Sequence, residues 1–130
     1  MKKRAVVSIL VLAFLTTNLV YAADRGNIAV ASGGKTAASE VSVVAARSPY
    51  FLIFDGDGTL LEAVDNPYKT AKGGAGPSVV PFLAQKNVAF VLAGEFGEKM
   101  IQVLKAQGIG YQEFSGSAEA ALKKVLEARK

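Results

Sequence analysis

Two aspartates stand two positions apart in the sequence FDGDGTL, residues 54–60, directly behind an apolar run at residues 50–53. Phosphoryl-transfer enzymes use such a pair. The first carboxylate, here Asp55, attacks phosphorus, and the second, here Asp57, handles the proton of the leaving group while Mg²⁺ screens the charge. The same stretch also contains two Asp-Gly dipeptides between two strand-forming segments. That pattern predicts a tight hairpin turn, which glycine and the aspartate side chains stabilise.

A haloacid-dehalogenase-like phosphatase would need further motifs that this chain does not supply. Its second strand should end in Ser or Thr to hold phosphate, whereas the corresponding run ends in Leu92-Ala93. A later strand should end in acidic residues that hold magnesium, but no aspartate follows Asp65, and the next predicted strand supplies only Glu113. One motif out of four is present, so a Mg-dependent phosphatase is the less favoured alternative.

The segment AVASGGKT, residues 29–36, fits a relaxed phosphate-loop pattern that ends in Gly34-Lys35-Thr36. A nucleotide-binding domain would also require a helix directly after Thr36 and a second strand that ends in a magnesium-binding aspartate. We expect a small polar loop after a strand instead. Its backbone N–H groups could still bind an anion.

Histidine and cysteine are both absent from the 130 residues. Zinc sites, Ser-His-Asp or Cys-His catalysis and imidazole acid–base chemistry are therefore excluded by composition. A chain without cysteine can live in an oxidising compartment without disulfide errors, but it lacks the ligands that soft metals and iron–sulfur clusters normally require. Met100 is the one soft side chain after residue 22.

Residues 1–22 are predicted to be a signal peptide. Lys2-Lys3-Arg4 is a positive n-region, residues 5–15 form an apolar h-region, and Val20-Tyr21-Ala22 places small residues where a signal peptidase cuts. An uncleaved membrane anchor is the alternative, but the apolar stretch is short against the roughly 20 residues that a spanning helix needs. The mature protein is expected to begin at Ala23, to be periplasmic or secreted, and to have no membrane association after cleavage.

The mature chain, residues 23–130, is long enough for one compact domain and too short for two. Loss of residues 1–22 lowers the 15 basic residues to 12 against 11 acidic ones, so the net charge falls from +4 to +1. The basic character of the full sequence therefore comes mostly from the targeting segment, and a nucleic-acid partner is not expected.

Apolar runs bounded by Gly, Pro, Asn or Asp predict strands, and apolar residues with i, i+3, i+4 spacing predict helices. Strands are expected at residues 28–31, 50–54, 59–64, 88–92 and 110–114. Helices are expected after Ser78 as N-cap with Pro81 in the first turn, at residues 95–107 with Gly108 in the C′ position, and after Ser117 as N-cap.

This order, β-β-β-α-β-α-β-α, predicts an α/β fold in which helices cover a mixed β-sheet through right-handed crossovers. In such sheets ligands bind beyond the carboxyl ends of the strands. The loops after Ala31, at residues 73–76 and after Leu92 are therefore the candidate walls of a binding site. All three loops carry glycine.

Five stretches of the mature chain together resemble a known family. They are IAVAS at 28–32, RSPYFLIFD at 47–55, NPYKTAKGGAGPSVVPFLAQKNV at 66–88, VLAGEFGEKMIQVLKAQGI at 91–109 and the helix that begins near Ser117. The family is the dinitrogenase iron-molybdenum cofactor biosynthesis domain, which includes NifX-like proteins and has a ribonuclease-H-like fold. The resemblance covers almost all of residues 27–128 in the expected order, so it is far more specific than either short motif.

The resemblance implies a small non-catalytic carrier or chaperone connected with nitrogen fixation. Such a protein would bind an anionic metal–sulfur cluster, such as iron-molybdenum cofactor or another molybdenum-containing cluster, and pass it from a donor protein to an acceptor protein. Charge-assisted bonds and backbone N–H groups suit a cluster or oxyanion of this kind. The residues expected to bind it are Ser32, Gly33, Gly34, Lys35, Arg47, Gly74, Gly76 and Gly94.

One departure from the family pattern affects the expected ligand. Family members commonly carry Ser-x-His-Phe-Gly-Arg before the Pro-Tyr-Phe strand, and Val44 stands here in place of the histidine. Either the cluster is held by electrostatics and backbone groups alone, or this protein has lost the cofactor and serves as a protein-interaction module without metal. Arg47 could accordingly be a ligand contact or a surface ion-pair residue.

Overall fold

The computed structural model describes residues 26–130, and the predicted signal peptide lies outside that range. The elements are β1 (Asn27–Ser32), β2 (Tyr50–Phe54), β3 (Leu60–Asp65), α1 (Ala75–Ala84), β4 (Val88–Ala93), α2 (Glu98–Ala106), β5 (Gly110–Glu113) and α3 (Ala118–Ala128). A single 3-10 turn, Ala45–Arg47, lies between β1 and β2. The predicted order of strands and helices is confirmed. Within residues 26–130, none of the helices has the length and apolar character needed to span a membrane.

The five strands form one mixed sheet in the order β3-β2-β1-β4-β5. β1 pairs antiparallel with β2 and parallel with β4, while β2–β3 is antiparallel and β4–β5 is parallel. This arrangement is the predicted α/β fold. Because β2 runs against both of its neighbours, its first residue, Tyr50, lies beside Ser32 and Asp65, the last residues of β1 and β3.

Both faces of the sheet are covered by helices. Phe51 and Ile53 of β2 lie in the core cluster that includes α1 and α2, whereas Leu52 and Phe54 lie in the cluster that includes α3. Successive side chains of a strand point to opposite faces, so a strand that is buried on both faces needs a continuous apolar run. This requirement explains the sequence of residues 50–54.

The DGDG stretch is a hairpin turn between β2 and β3, as predicted. The Asp55 N–H donates to the Thr59 carbonyl at 2.9 Å, and the Gly58 N–H donates to the Asp55 carbonyl at 3.1 Å. One carboxylate oxygen of Asp55 accepts from the N–H groups of Asp57 at 2.9 Å and Thr59 at 3.0 Å. Gly58 has a φ of 93°, which favours glycine. The Asp55 side chain therefore stabilises the turn.

Helix α1 begins earlier than the sequence predicts. Its N-cap is Gly74, with a φ of 70°, and Ser78 already donates its N–H to the Gly74 carbonyl at 3.1 Å. The proline of the first turn is Pro77, so Pro81 lies in the helix interior. The prediction of Ser78 as N-cap was wrong because Gly76 and Pro77 have low helix propensity, which packing against the core overrides in the folded protein.

The other helix boundaries follow their capping residues. α2 begins at Glu98 rather than Glu95, because the backbone of Glu95 is hydrogen-bonded to residues 43–45. Gly108, with a φ of 71°, follows α2 in the C′ position as predicted. The Ser117 hydroxyl accepts a hydrogen bond at 3.2 Å from the N–H three residues later, which confirms it as the N-cap of α3.

Candidate functional site at the carboxyl edge of the sheet

The carboxyl ends of β1, β4 and β5 meet at one edge of the sheet, together with the start of β2 and the end of β3. We call this the carboxyl edge. The connections at residues 33–49, 66–74, 94–97 and 114–117 all lie there. The eight residues that the resemblance implies lie in these connections or directly beside them. This is where open α/β sheets bind ligands.

Ser32 and Gly34 close a tight loop directly after β1. The buried Ser32 hydroxyl donates to the Gly34 carbonyl at 2.8 Å and accepts from the Gly34 N–H at 3.2 Å. The Gly33 N–H donates to the Glu40 carbonyl at 3.0 Å. Bends and turns, not a helix, follow Thr36. The segment is not a phosphate loop, since that motif presents free N–H groups at the start of a helix.

Lys35 and Lys69 both lie beside the ring of Tyr50. Their ammonium nitrogens are 5.5 Å and 5.9 Å from the ring centroid, respectively. Each such contact at an exposed site contributes about 0.5–1 kcal/mol. The two lysines come from separate connections, and Tyr50, at the start of β2, stands between those connections. Tyr50 therefore holds two positive charges near one point of the carboxyl edge.

Arg47 contacts the connection between β3 and α1, which we call the lysine loop (residues 66–74). Its Nη1 donates to the carbonyls of Lys69, at 3.4 Å, and Ala71. The buried side chain of Asn66 makes the reverse connection: its Nδ2 donates to the carbonyls of Ala46 at 2.9 Å and Ser48 at 3.0 Å. Its Oδ1 accepts from the N–H of Tyr68 at 2.9 Å. The segment that carries Arg47 and the lysine loop thus bind one another.

Residues 41–45, which we call the crossing segment, run along the carboxyl edge beside the start of the connection after β4. The N–H groups of Gly94 and Glu95 donate to the carbonyls of Ser42 at 2.8 Å and Val43 at 2.6 Å. A Cβ atom on Gly94 would lie 2.7 Å from the Val43 carbonyl oxygen, so this position requires glycine. The Gly94 N–H is bonded within the chain and supports the crossing segment.

Gly74 and Gly76 have different structural roles. Gly74 is exposed, and its positive φ lets the chain enter α1. A Cβ atom on Gly76 would lie 2.9 Å from the Cβ atom of Met100, so glycine here allows α1 and α2 to pack closely. Of the glycines expected to bind an anion, only Gly74 and Gly76, at the start of α1, have N–H groups that are not used to close a loop or support the crossing segment.

Carboxylates stand among the cations of the carboxyl edge. Lys69 lies 3.8 Å from Asp65. The cations in or beside the connections of this edge are Lys35, Arg47, Lys69 and Lys72, and the carboxylates are Glu40, Asp65, Glu95, Glu98 and Glu113. Because the cations do not outnumber the carboxylates, attraction for an anion depends on the local pair at Tyr50 and not on a broad positive field. Among residues 26–130, no cluster of three or more carboxylate side chains could hold a metal ion.

Asp55 and Asp57 lie at the opposite edge of the sheet, because β2 is antiparallel to β1. They line an open cavity of about 1240 Å³ between the hairpin turn, the starts of β4 and β5, and α3. Both acidic and basic side chains line this cavity, and the Asp55 carboxylate already bonds the turn backbone. The geometry favours a structural role for Asp55 over a phosphatase site.

Three residues of the carboxyl edge were missed by reasoning from sequence: Tyr50, Asn66 and Lys69. Tyr50 was assigned to a buried strand, and its position beside Ser32 follows from the antiparallel pairing of β2. The signal that could have found Asn66 and Lys69 is Asn66-Pro67-Tyr68-Lys69, a turn-forming stretch that carries a cation to the carboxyl end of β3.

Residues 26–128 match the family described as dinitrogenase iron-molybdenum cofactor. The chain belongs to this family. Iron-molybdenum cofactor family members are associated with the binding or biosynthesis of that cofactor. The match spans the described fold from the residue before β1 to the end of α3, so all connections of the carboxyl edge belong to the family domain.

Solved structures of other proteins are similar to this member of the iron-molybdenum cofactor family. The apo form of the orange protein from Desulfovibrio gigas is 28% identical, with a TM-score of 0.75 over 81% of this chain and 90% of that one. A Thermotoga protein provisionally named NifB is 35% identical, with a TM-score of 0.68 over 80% and 90%. A protein of Methanocaldococcus jannaschii provisionally named a dinitrogenase shares the fold, at 14% identity and a TM-score of 0.55 over 80% and 90%. The comparison with curated proteins finds no significant match.

Proposed function

We propose that this protein is an exported, non-catalytic carrier that binds an anionic metal–sulfur cluster of the iron-molybdenum cofactor type and passes it to an acceptor protein. The observation that carries the proposal is membership of the iron-molybdenum cofactor family over residues 26–128. The carboxyl edge supports it, because two lysine ammonium groups lie beside Tyr50 where a ligand of this fold is expected.

The composition restricts how such a cargo is held. Without histidine or cysteine, the protein offers neither imidazole nor thiolate to the metals, so the cluster keeps its own sulfur ligands. Ammonium groups and the backbone N–H groups at the start of α1 then bind the negative charge of the cluster from outside. Release requires no exchange of metal ligands, which suits a carrier that must hand its cargo on.

Tetrathiomolybdate, a coloured dianion of molybdenum and sulfur, is a suitable probe for this site. We expect the purified mature protein to bind it, and Lys35→Ala/Lys69→Ala to bind it at least about tenfold more weakly, since each charged contact contributes more than a neutral one. The matched control is Lys105→Ala/Lys123→Ala, which removes the same charge from exposed positions toward the opposite edge. Visible absorption titration under anaerobic conditions gives the affinities.

Absence of binding by the wild-type protein would contradict the proposal. Equal losses in the two double variants would also contradict it, because net charge alone would then explain the affinity. The natural cargo can be identified by elemental analysis of protein isolated anaerobically from its native compartment. Near-stoichiometric molybdenum or iron with a charge-transfer band is the expected result.

A second candidate function is a protein-interaction module that carries no metal. The observation that favours it is the exposure of Val43 and Val44, whose residues are 69% and 41% accessible on the crossing segment. Val44 stands where the family pattern commonly has histidine, so an exposed apolar side chain takes the place of an imidazole there. This function predicts a colourless, metal-free protein from the native compartment and an unchanged tetrathiomolybdate spectrum on mixing.

A further inference from the structure

We infer that Arg47 is a positioning residue: it does not contact the anion but holds the lysine loop so that Lys69 lies beside Tyr50. This inference rests on the proposed function and explains how the anion-binding site at the carboxyl edge is assembled. The resemblance placed Arg47 among the ligand contacts, whereas its hydrogen bonds in the structure point to a different role.

The first observation is what the guanidinium binds. Nη1 of Arg47 donates to two carbonyls of the lysine loop, those of Lys69 and Ala71. A planar guanidinium nitrogen has two N–H groups in fixed directions and can donate to two carbonyls at once. An ammonium group on a flexible stem holds two carbonyls in a fixed geometry less well. The side chain thus spans the loop on both sides of residue 70.

The second observation is how little else holds that part of the loop. Among residues 26–130, Arg47 is the only residue whose side chain donates a hydrogen bond to residues 69–73. Within the loop, residues 69–73 donate only two backbone N–H groups: that of Lys69 to the Asn66 carbonyl at 3.4 Å, and that of Ala71 to the Tyr68 carbonyl at 3.1 Å. The ion pair between Lys69 and Asp65, at 3.8 Å, lies between partly exposed side chains and contributes little.

The third observation is that Arg47 itself is fixed at its base. Asn66 binds the carbonyls of Ala46 and Ser48, the two residues that flank Arg47. The Ser48 hydroxyl donates to the Ala45 carbonyl at 3.1 Å, which closes the 3-10 turn. Because the backbone on both sides of Arg47 is held by a buried side chain, the guanidinium acts from a rigid support. The position of Lys69 relative to Tyr50 then depends on the two Arg47 bonds.

Affinity for tetrathiomolybdate distinguishes positioning from direct contact. We expect Arg47→Lys, which keeps the charge but not the planar fork, to bind the probe about as weakly as Lys69→Ala. Arg47→Ala/Lys69→Ala should bind the probe no more weakly than Lys69→Ala alone, because Arg47 affects binding only by positioning Lys69. The control Arg129→Lys, at the opposite edge beside Phe90, should bind as the wild type does. Wild-type affinity in Arg47→Lys, or additive losses in the double variant, would overturn the inference.

Hydrogen exchange tests the same inference without any ligand. Amide exchange at Lys69 and Ala71, whose N–H groups are hydrogen-bonded within the loop, should be faster in Arg47→Lys and Arg47→Ala than in the wild type, with exchange in β1 and β4 unchanged. Unchanged exchange at these two amides would overturn the positioning role even if the probe binds. A wild-type protein that fails to bind tetrathiomolybdate would instead remove the proposed function, while faster exchange in the variants would still support Arg47 as the residue that orders the loop.

Discussion

Asn66 shows how one buried side chain organises the carboxyl edge. Its residue is 1% exposed, and its amide makes three hydrogen bonds, two as donor and one as acceptor. All three partners are backbone groups of the lysine loop or of the segment that carries Arg47. A buried amide of this kind fixes two connections at once, because each backbone group it binds would otherwise lack a partner away from water.

Asn66→Ala is expected to lower the free energy of unfolding by about 1–3 kcal/mol, because it leaves the Ala46 and Ser48 carbonyls and the Tyr68 N–H without their partner. Urea denaturation followed by circular dichroism measures this loss. Gln85→Ala removes a comparable amide from an exposed position and should stay within about 0.5 kcal/mol of the wild type. Similar stability of the two variants would show that Asn66 does not hold the connections together.

At the scale of elements, the crossing segment is attached to the sheet by backbone bonds at both ends. Ser42 donates its N–H to the Ala31 carbonyl at 2.8 Å, and Ala45 donates to the Glu95 carbonyl at 3.1 Å. Val41 and Ala45, at the two ends of the segment, are buried, whereas Val43 and Val44 between them are exposed. The position of the segment depends on the close approach that Gly94 permits.

Gly94→Ala should destabilise the protein by about 1–3 kcal/mol, since the added Cβ would lie 2.7 Å from both the Cα and the carbonyl oxygen of Val43. Both are backbone atoms and cannot rotate away as a side chain would. The control is Gly73→Ala, where an added Cβ meets no atom within 4 Å, and we expect its stability to be close to wild type. Equal urea midpoints for the two variants would argue against this account of the crossing segment.

At the scale of the whole molecule, the direction of β2 separates two sets of candidate residues. β2 begins at the carboxyl edge with Tyr50 and ends at the opposite edge with the turn at Asp55. The lysines, Arg47 and the glycine-bearing loops therefore lie at one edge, and the aspartate pair lies at the other. A sheet with β2 parallel to β1 would have placed the aspartate pair at the carboxyl edge beside Lys35, but would have moved Arg47 to the opposite edge.

Export is a prediction that depends on residues 1–22, which precede the described residues 26–130. Intact mass spectrometry of the protein from its native compartment should give a mature N-terminus at Ala23, because a signal peptidase reads the small residues at positions 20 and 22. Replacing Lys2, Lys3 and Arg4 by glutamine should slow cleavage, since a positive n-region orients the segment. Arg25→Gln, after the cleavage site, should leave processing unchanged. A purified protein that still carries residue 1 would contradict the signal-peptide prediction.

Much of the fold was predictable because its signals are local. The apolar run at residues 50–54, the two Asp-Gly dipeptides, Gly108 and Ser117 each indicate an element or its end through backbone preferences that act over a few residues. The start of α1 was not predictable in this way. Packing against the sheet and α2 favours a helix from Ala75, although Gly76 and Pro77 in its first turn have low propensity.

The sequence by itself determined the order of strands and helices, the family, and the absence of imidazole and thiolate ligands. Only the tertiary structure decided which residues meet at the carboxyl edge. Lys35 and Lys69 are 34 positions apart, and they share the Tyr50 ring because strand pairing brings their connections together. In the tertiary structure, the N–H groups of Gly33, Gly34 and Gly94 also donate hydrogen bonds within the chain. Residue type determines what a group can bind, but long-range pairing determines which partner it has.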